Sequence, residues 1–300
     1  MIRRILLLPH IRVHNANALS SPFTIGFPAM TAWLGAVHAL QRRINADGLQ
    51  NVDFINVAVV SHKMDLHTYK GPGDYVFSIV GTGNPLDKDG ERSSFIEEAR
   101  CQLDVSLLIE YRPIGKDDEE SLVEKVSHHL NASMKIAGGD IISFQNPKLY
   151  RIEEGDDAEF RKLTRRLMPG YAIIERRELM VDTMEQGRDA LDALLDYLAV
   201  HHSCEQDEQG NVTWTSKRKT AGWIIPIATG FHGISDLGQA KNQRDPETLH
   251  RFAESVVTLG EFRMPHRIHS LDEILWCYHA DAENNLYLCQ QASNQTELHQ

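Results

Sequence analysis

Asn15 and Asn17 stand two residues apart in the polar stretch His14–Phe27, and Ser20, Ser21 and Thr24 follow them. Amides and hydroxyls at this density can read the base edges of single-stranded RNA. In an extended segment a spacing of two points both amides the same way. The stretch leads into a helix, whose first N–H groups can donate to a phosphate. The same side chains can instead cap their own loop, and spacing alone favours that reading.

A second cluster is cationic. Arg161, Lys162, Arg165 and Arg166 fall in the helical segment Ala158–Met168, with Glu159 as its one acid. Spacings of three and four put these cations on one face, which is either a solvated surface or a track for a phosphate backbone. Gly138-Gly139 is either a bend in a strand or a place where a phosphate or base approaches the backbone closely.

Other chemistries lack their residues. Gly71-Pro72-Gly73 and Gly81-Thr82-Gly83 have neither the Lys-Ser/Thr of a P-loop nor the third glycine of a dinucleotide fingerprint. Asp87–Gly90 places its glycine too early for a calcium loop. There is no HExxH, no GxSxG and no CxxC, and His201-His202-Ser203-Cys204 reads as a polar loop. Cys101, Cys204, Cys277 and Cys289 are expected to be reduced thiols. No cofactor and no metal site is expected.

The 300 residues carry 31 Lys and Arg against 42 Asp and Glu, a net charge of −11. That charge disfavours clamping nucleic acid by electrostatics alone, although residues 1–50 and 158–177 are locally basic. No run is long and apolar enough to span a membrane, the short run Ile5–Leu8 is no signal-peptide core, and a cytoplasmic protein is expected.

The elements that must position these groups follow from periodicity. Residues 2–8 read as a buried strand ended by Pro9, 14–29 as a turn-rich loop, and Ala29–Ile44 as a helix with Trp33, Leu34, Val37, Leu40 and Ile44 on one face. Strands follow at 52–60, 75–80 and 103–111. A capping box at Ser94–Glu97 predicts a short helix. A helix from the acidic run Asp117–Glu120 to Ser133 precedes a strand at 135–144. The order is βαββαβ with insertions, a ferredoxin-like split βαβ pattern. In the second half, the basic helix 158–168 is followed by a strand at 171–174, a helix at 178–200 and a polar loop at 201–211. Strands 212–215 and 223–228 are expected to pair around Lys217-Arg218-Lys219. Residues 253–262 suit helix or strand, and 275–278 and 286–289 close the chain as a strand pair.

Several segments, in order, resemble one family. They include Leu6-Leu7-Leu8-Pro9, Asn15-Ala16-Asn17-Ala18, Ser20–Thr24, Gly26-Phe27-Pro28 and Val37–Arg43. Gly83–Leu86, Ala137-Gly138-Gly139, Leu163–Gly170, Leu259–Phe262 and Pro265-His266-Arg267 continue the series. From about residue 5 to 290 the chain resembles the Csy-two family, the Cas-five-like subunit of the type I-F CRISPR surveillance complex, with the poorest match at 200–220. The resemblance implies an α+β, ferredoxin-like/RRM-like (RAMP) fold with insertions and a projecting β-hairpin. Residues 1–150 would form the RRM-like core and 151–300 a second half packed on it. It implies a non-catalytic subunit, since a separate endonuclease matures the RNA. Its partners would be the 5′ handle of the CRISPR RNA, the large subunit, the terminal backbone subunit and, through the complex, target DNA, with no membrane. The expected RNA-binding set is Asn15, Asn17, Ser20, Ser21, Thr24, Arg42, Gly138, Gly139, Lys162, Arg165, Arg166, His266 and Arg267. A metal-independent endoribonuclease acting on repeat RNA is the alternative: the resemblance to RRM-like CRISPR enzymes, in which a histidine helps the 2′-OH attack the adjacent phosphate, makes His38, on the first predicted helix near the polar loop, the candidate, with His266 in reserve. A scaffold without RNA contact is a third reading.

Overall fold

The computed structural model describes residues 2–83, 86, 89–91, 95–153, 155–207, 209–241, 243 and 245–291. The Asp87–Gly90 loop lies partly, and Ser94 wholly, outside them.

The chain is mixed α and β. Its first half comprises β1 (Ile2–Asn17), α1 (Met30–Ala46), β2 (Phe54–Leu66), β3 (Arg100–Tyr111), α2 (Lys116–Ala132), β4 (Lys135–Ile136), β5 (Gly139–Ser143) and β6 (Lys148–Glu153). β1 takes β5 and β6 on one edge and β3 on the other, and β3 takes β2, all antiparallel. The unbroken run Ile5–Leu8 is buried because the sheet is covered on both faces. Leu6, Leu8, Ile11 and Val13 meet Trp33, Val37 and Leu40 of α1 and Leu122 and Val126 of α2 in one core. Ile5 and Leu7 lie in a second core with Leu163, Leu167, Ile268, Leu271 and Leu275.

The second half adds α3 (Asp157–Arg166), β7 (Tyr171–Glu175), α4 (Arg177–Glu185), α5 (Ala190–Leu198), β8 (Trp223–Gly233), β9 (Ala253–Arg263), β10 (Trp276–Asp281) and β11 (Leu286–Gln291). The sheet runs on from β2 through β7, β9, β8 and β11 to β10. β10 then returns to β2, pairing Trp276 with Val57, while β7 pairs with Val60 and Ser61 on the same edge. Six strands thus form a closed ring with β2 as the shared stave. Trp276 is fully buried, with its indole N–H donating to the Ile173 carbonyl of β7 at 3.0 Å.

Several elements differ from expectation. β1 does not stop at Pro9: bulges with positive φ at His10 (49°) and Asn15 (58°) absorb the break and carry pairing to Asn17. The loop after it holds a small hairpin, Leu19–Ser21 with Thr24–Ile25. Of residues 75–80, only Ser78–Ile79 form a strand, paired with Thr68–Tyr69. Residues 95–97 pair with 81–83 as a strand and do not form a helix. The predicted helix 178–200 is two helices, parted at Gly187, whose φ is +91°. The polar loop 201–211 is largely strand: His201–Gln206 pairs with Val212–Lys217 in a hairpin that joins no other sheet. Residues 212–215 and 223–228 therefore do not pair, and Lys217–Lys219 are not a hairpin tip. Residues 253–263 resolve as strand, and a capping box made by Ser270 and Glu273 opens the 3-10 turn Leu271–Glu273.

Candidate nucleic-acid interface

A groove of about 1040 Å³ lies along the outer face of α1. Its floor is a run of small residues, Ala32, Gly35, Ala36 and Ala39, at helical spacing. Absence of bulk there keeps the helix backbone close to whatever lies above it. One wall comes from the ring: Phe231 of β8, Tyr278 of β10 and Tyr287 of β11. The two tyrosine rings lie 5.3 Å apart, tilted by 35°, and each is more than a third exposed. Burial of the phenol, then its neighbour Tyr287, push the Tyr278 pKa up, so both hydroxyls stay protonated and can donate. Planar faces of this kind stack on nucleobases.

The lining also carries Arg100 of β3, ion-paired with Glu98, which lines the groove too, and Lys135 of β4, 2.5 Å from Asp140. At the groove's end α1 begins after Ala29 without a side-chain cap and without an acid in its first turn. Its leading N–H groups and the hydroxyl of Thr31 are thus free of local carboxylates.

The predicted residues divide between this groove and other places. Asn17, Ser20 and Gly138 line it. Asn17 binds its own turn, accepting from Leu19 N–H at 3.2 Å and donating to the Leu19 carbonyl at 3.0 Å. Ser20 and Ser21 both bond the Thr24 hydroxyl, at 2.9 and 2.6 Å, and Ser21 and Thr24 are buried. These three hydroxyls hold the 19–25 hairpin together. Asn15 is exposed at its bulge, and its side chain makes no hydrogen bond among the described residues.

Gly138 and Gly139 do separate jobs. Gly138 (φ +75°) turns the β4–β5 hairpin, with open space around it. Gly139 packs against β1, where a Cβ would stand 2.7 Å from the His14 carbonyl. Arg42, exposed on α1, lies one turn beyond Ala39.

Lys162, Arg165 and Arg166 sit on α3, which covers the other core, so they do not join the groove. Lys162 is engaged by Glu159 at 3.0 Å, and Arg166 lies against Tyr150. Arg165 shares a pocket of about 350 Å³ with Arg161, His266 and His269. Arg267 is exposed beside it. His38 is exposed on α1 and makes no hydrogen bond or ion pair among the described residues.

Sequence reasoning missed Arg100, Lys135, Phe231, Tyr278 and Tyr287. They come from distant strands, and each reads in isolation as an ordinary strand residue.

The fold and groove define a mixed α+β protein with an aromatic and cationic cleft along one helix. Residues 6–289 match the sequence model of the family described as CRISPR-associated protein (Cas_Csy2). The chain is 35% identical over 310 residues to the CRISPR-associated protein Csy2 of Pseudomonas aeruginosa (strain UCBPP-PA14), covering 94% of each chain. This chain belongs to the Csy2 family of CRISPR-associated proteins. No helix among the described residues is long and apolar enough to cross a membrane.

Proposed function

We propose that this chain is the non-catalytic, Cas-five-like subunit of a type I-F CRISPR surveillance complex, and that it holds the 5′ handle of the CRISPR RNA in the α1 groove. The observation that carries this reading is the combination in one cleft of stacking faces (Phe231, Tyr278, Tyr287), cations (Arg100, Lys135) and an uncapped helix start. Single-stranded RNA is bound by such platforms, with phosphates on cations and helix N-termini. The βαββαβ order, with β5 and β6, β1, β3 and β2 side by side and all antiparallel, supports an RRM-like (RAMP) core. The face of that sheet away from α1 and α2 is buried under α3 and residues 265–275, so we place the RNA in the groove and not on the sheet.

Pairing with the large subunit and contact with the terminal backbone subunit belong to the same proposal. The insertion between β2 and β3, with exposed Tyr69, Tyr75, Val76 and Phe77, and the lone hairpin 201–217, with exposed Trp214, supply apolar surface for them. A cytoplasmic setting and indirect contact with target DNA follow from membership of such a complex.

The test is reconstitution. Co-expressed with the large subunit and CRISPR RNA, the chain should crosslink to handle nucleotides through the groove. Tyr278→Ala with Tyr287→Ala should weaken handle binding by roughly tenfold or more, since stacking is worth ~1–3 kcal/mol per base. Crosslinks confined to α3 would overturn the placement. Cleavage of repeat RNA by the pure chain in chelator would favour the endoribonuclease.

A further inference from the structure

We propose that the groove between α3 and residues 265–272 docks an extended segment of a partner protein, one that presents an Arg or Lys and, four residues on, an Asp or Glu, with an apolar side chain midway. Two hollows make the groove, one of about 620 Å³ and one of about 350 Å³, and Asp157, Phe160 and His269 line both. On α3 the lining residues are Asp157, Phe160, Arg161, Thr164 and Arg165, so one helix face looks onto the groove. Phe160 is half-buried on the second core and marks the meeting of the hollows. Buried Ile152 and Leu271 line the larger hollow, and buried Pro265 and Ile268 the smaller.

The two ends carry opposite charge. The larger hollow holds Glu110, Glu153, Asp156, Asp157 and Asp272 against Arg3, which is itself engaged by Glu110 and Asp272. The Glu153 side chain makes no hydrogen bond or ion pair among the described residues, and Asp156 caps α3 with one carboxylate oxygen. The smaller hollow holds Arg161, Arg165 and His266. Asp157 lies 3.4 Å from Arg161, and the Arg165 side chain has no partner among the described residues. The dipole of α3 accounts for Asp157 and Arg165 as ordinary helix-end charges, but Glu153, Asp272 and His266 lie outside the helix and extend the same polarity.

The length fits an extended chain. Asp156 and Arg165 are about 13.5 Å apart along the helix, at 1.5 Å of rise per residue. An extended segment covers that distance in four steps of about 3.3 Å, and its side chains i, i+2 and i+4 point the same way. The basic one then meets Glu153 and Asp156, the apolar one Phe160, and the acidic one Arg165. A nucleic-acid strand laid here would bring its phosphates against the carboxylates of the larger hollow, so the polarity favours protein.

The experiment follows the anisotropy of three labelled, amidated peptides on the full chain: Arg-Ser-Leu-Ser-Glu, Arg-Ser-Leu-Ser-Arg and Glu-Ser-Leu-Ser-Glu. The first should bind saturably, roughly threefold to tenfold more tightly than either like-charged peptide. Arg165→Glu, at an exposed position, should reverse that order and make the doubly basic peptide the best ligand, a gain that misfolding does not produce. Lys162→Glu, on α3 but outside the groove, should leave the order unchanged. No saturable binding, equal binding of the three peptides, an unchanged order in Arg165→Glu, a reversed order in Lys162→Glu, or displacement of the first peptide by a ten-nucleotide oligouridylate would each overturn the docking groove.

Discussion

Arg3 and Glu110 meet as a two-pronged fork across β1 and β3, with Nε to Oε1 at 2.7 Å and Nη2 to Oε2 at 2.8 Å. The carboxylate also accepts from Asn56 at 2.6 Å, and Arg3 reaches Asp272 at 2.6 Å. Strands and the C-terminal 3-10 turn are thus tied at one buried acid. Glu110→Ala leaves the half-buried guanidinium with only the exposed Asp272 as a partner and the Asn56 amide without its acceptor, and should cost about 2 kcal/mol in chemical denaturation. A loss below ~0.5 kcal/mol would mean that solvent already screens the pair.

The adjacent glycines should separate cleanly. Gly139→Ala drives a Cβ into the His14 carbonyl and the Ala16 amide nitrogen, both backbone atoms, and should cost about 2 kcal/mol or more. Gly138→Ala meets nothing and pays only for its positive φ, about 1 kcal/mol. Equal melting temperatures for the two would contradict the packing described for β5 against β1.

Asn15 and Asn17 should also part company. Asn17→Ala breaks two local bonds to Leu19 and should lower stability by about 1 kcal/mol. Asn15→Ala should cost about 1 kcal/mol or less, for the left-handed backbone at φ 58°, and weaken the correct handle more than a scrambled RNA if this amide reads a base. Equal losses on both RNAs would make it a backbone contact.

The basic face of α3 offers a salt test. Changing Lys162, Arg165 and Arg166 together to Ala should weaken RNA association of the assembled complex without sequence preference, and flatten its salt slope if phosphates lie there. An unchanged slope would mark α3 as a solvated face, in keeping with the Lys162–Glu159 pair.

The thiols differ in reach. Burial pushes Cys101 up to about 11 and Cys289 up to about 12, so both are neutral at pH 8. Cys204 is exposed on the hairpin. A thiol reagent should label Cys204 first and the two buried thiols only on unfolding. Because the folded pKa values lie above those of free cysteine, this contribution to stability is complete below about pH 8.5 and declines as pH rises toward 11.

The sequence revealed those elements whose burial leaves a period. α1, α2 and the apolar stretch of β1 were legible because Trp33, Leu122 and Ile5–Leu8 each face a core. The hairpin 201–217 was not, because both its faces meet solvent and nothing selects alternation. Pro9 hid the rest of β1, since a bulge at His10 bypasses the break in a way no local pattern signals. Of the groove, Asn17, Ser20 and Gly138 were visible. Its aromatic wall was not, because Phe231, Tyr278 and Tyr287 converge only through the topology of the ring. Arg165 and His266 were also anticipated and do meet, but in a pocket on the α3 side.

The ring has a consequence for synthesis. β2 emerges early, yet the partners on its outer edge, β7 and β10, begin at residues 171 and 276. During translation that edge waits, unpaired, while more than half of the chain is made. An open strand edge is a template for illicit pairing, and such long-range closure is slow. The nascent first half is therefore the vulnerable species, and losing the last two strands would leave a finished chain with the Val57 end of that edge still open.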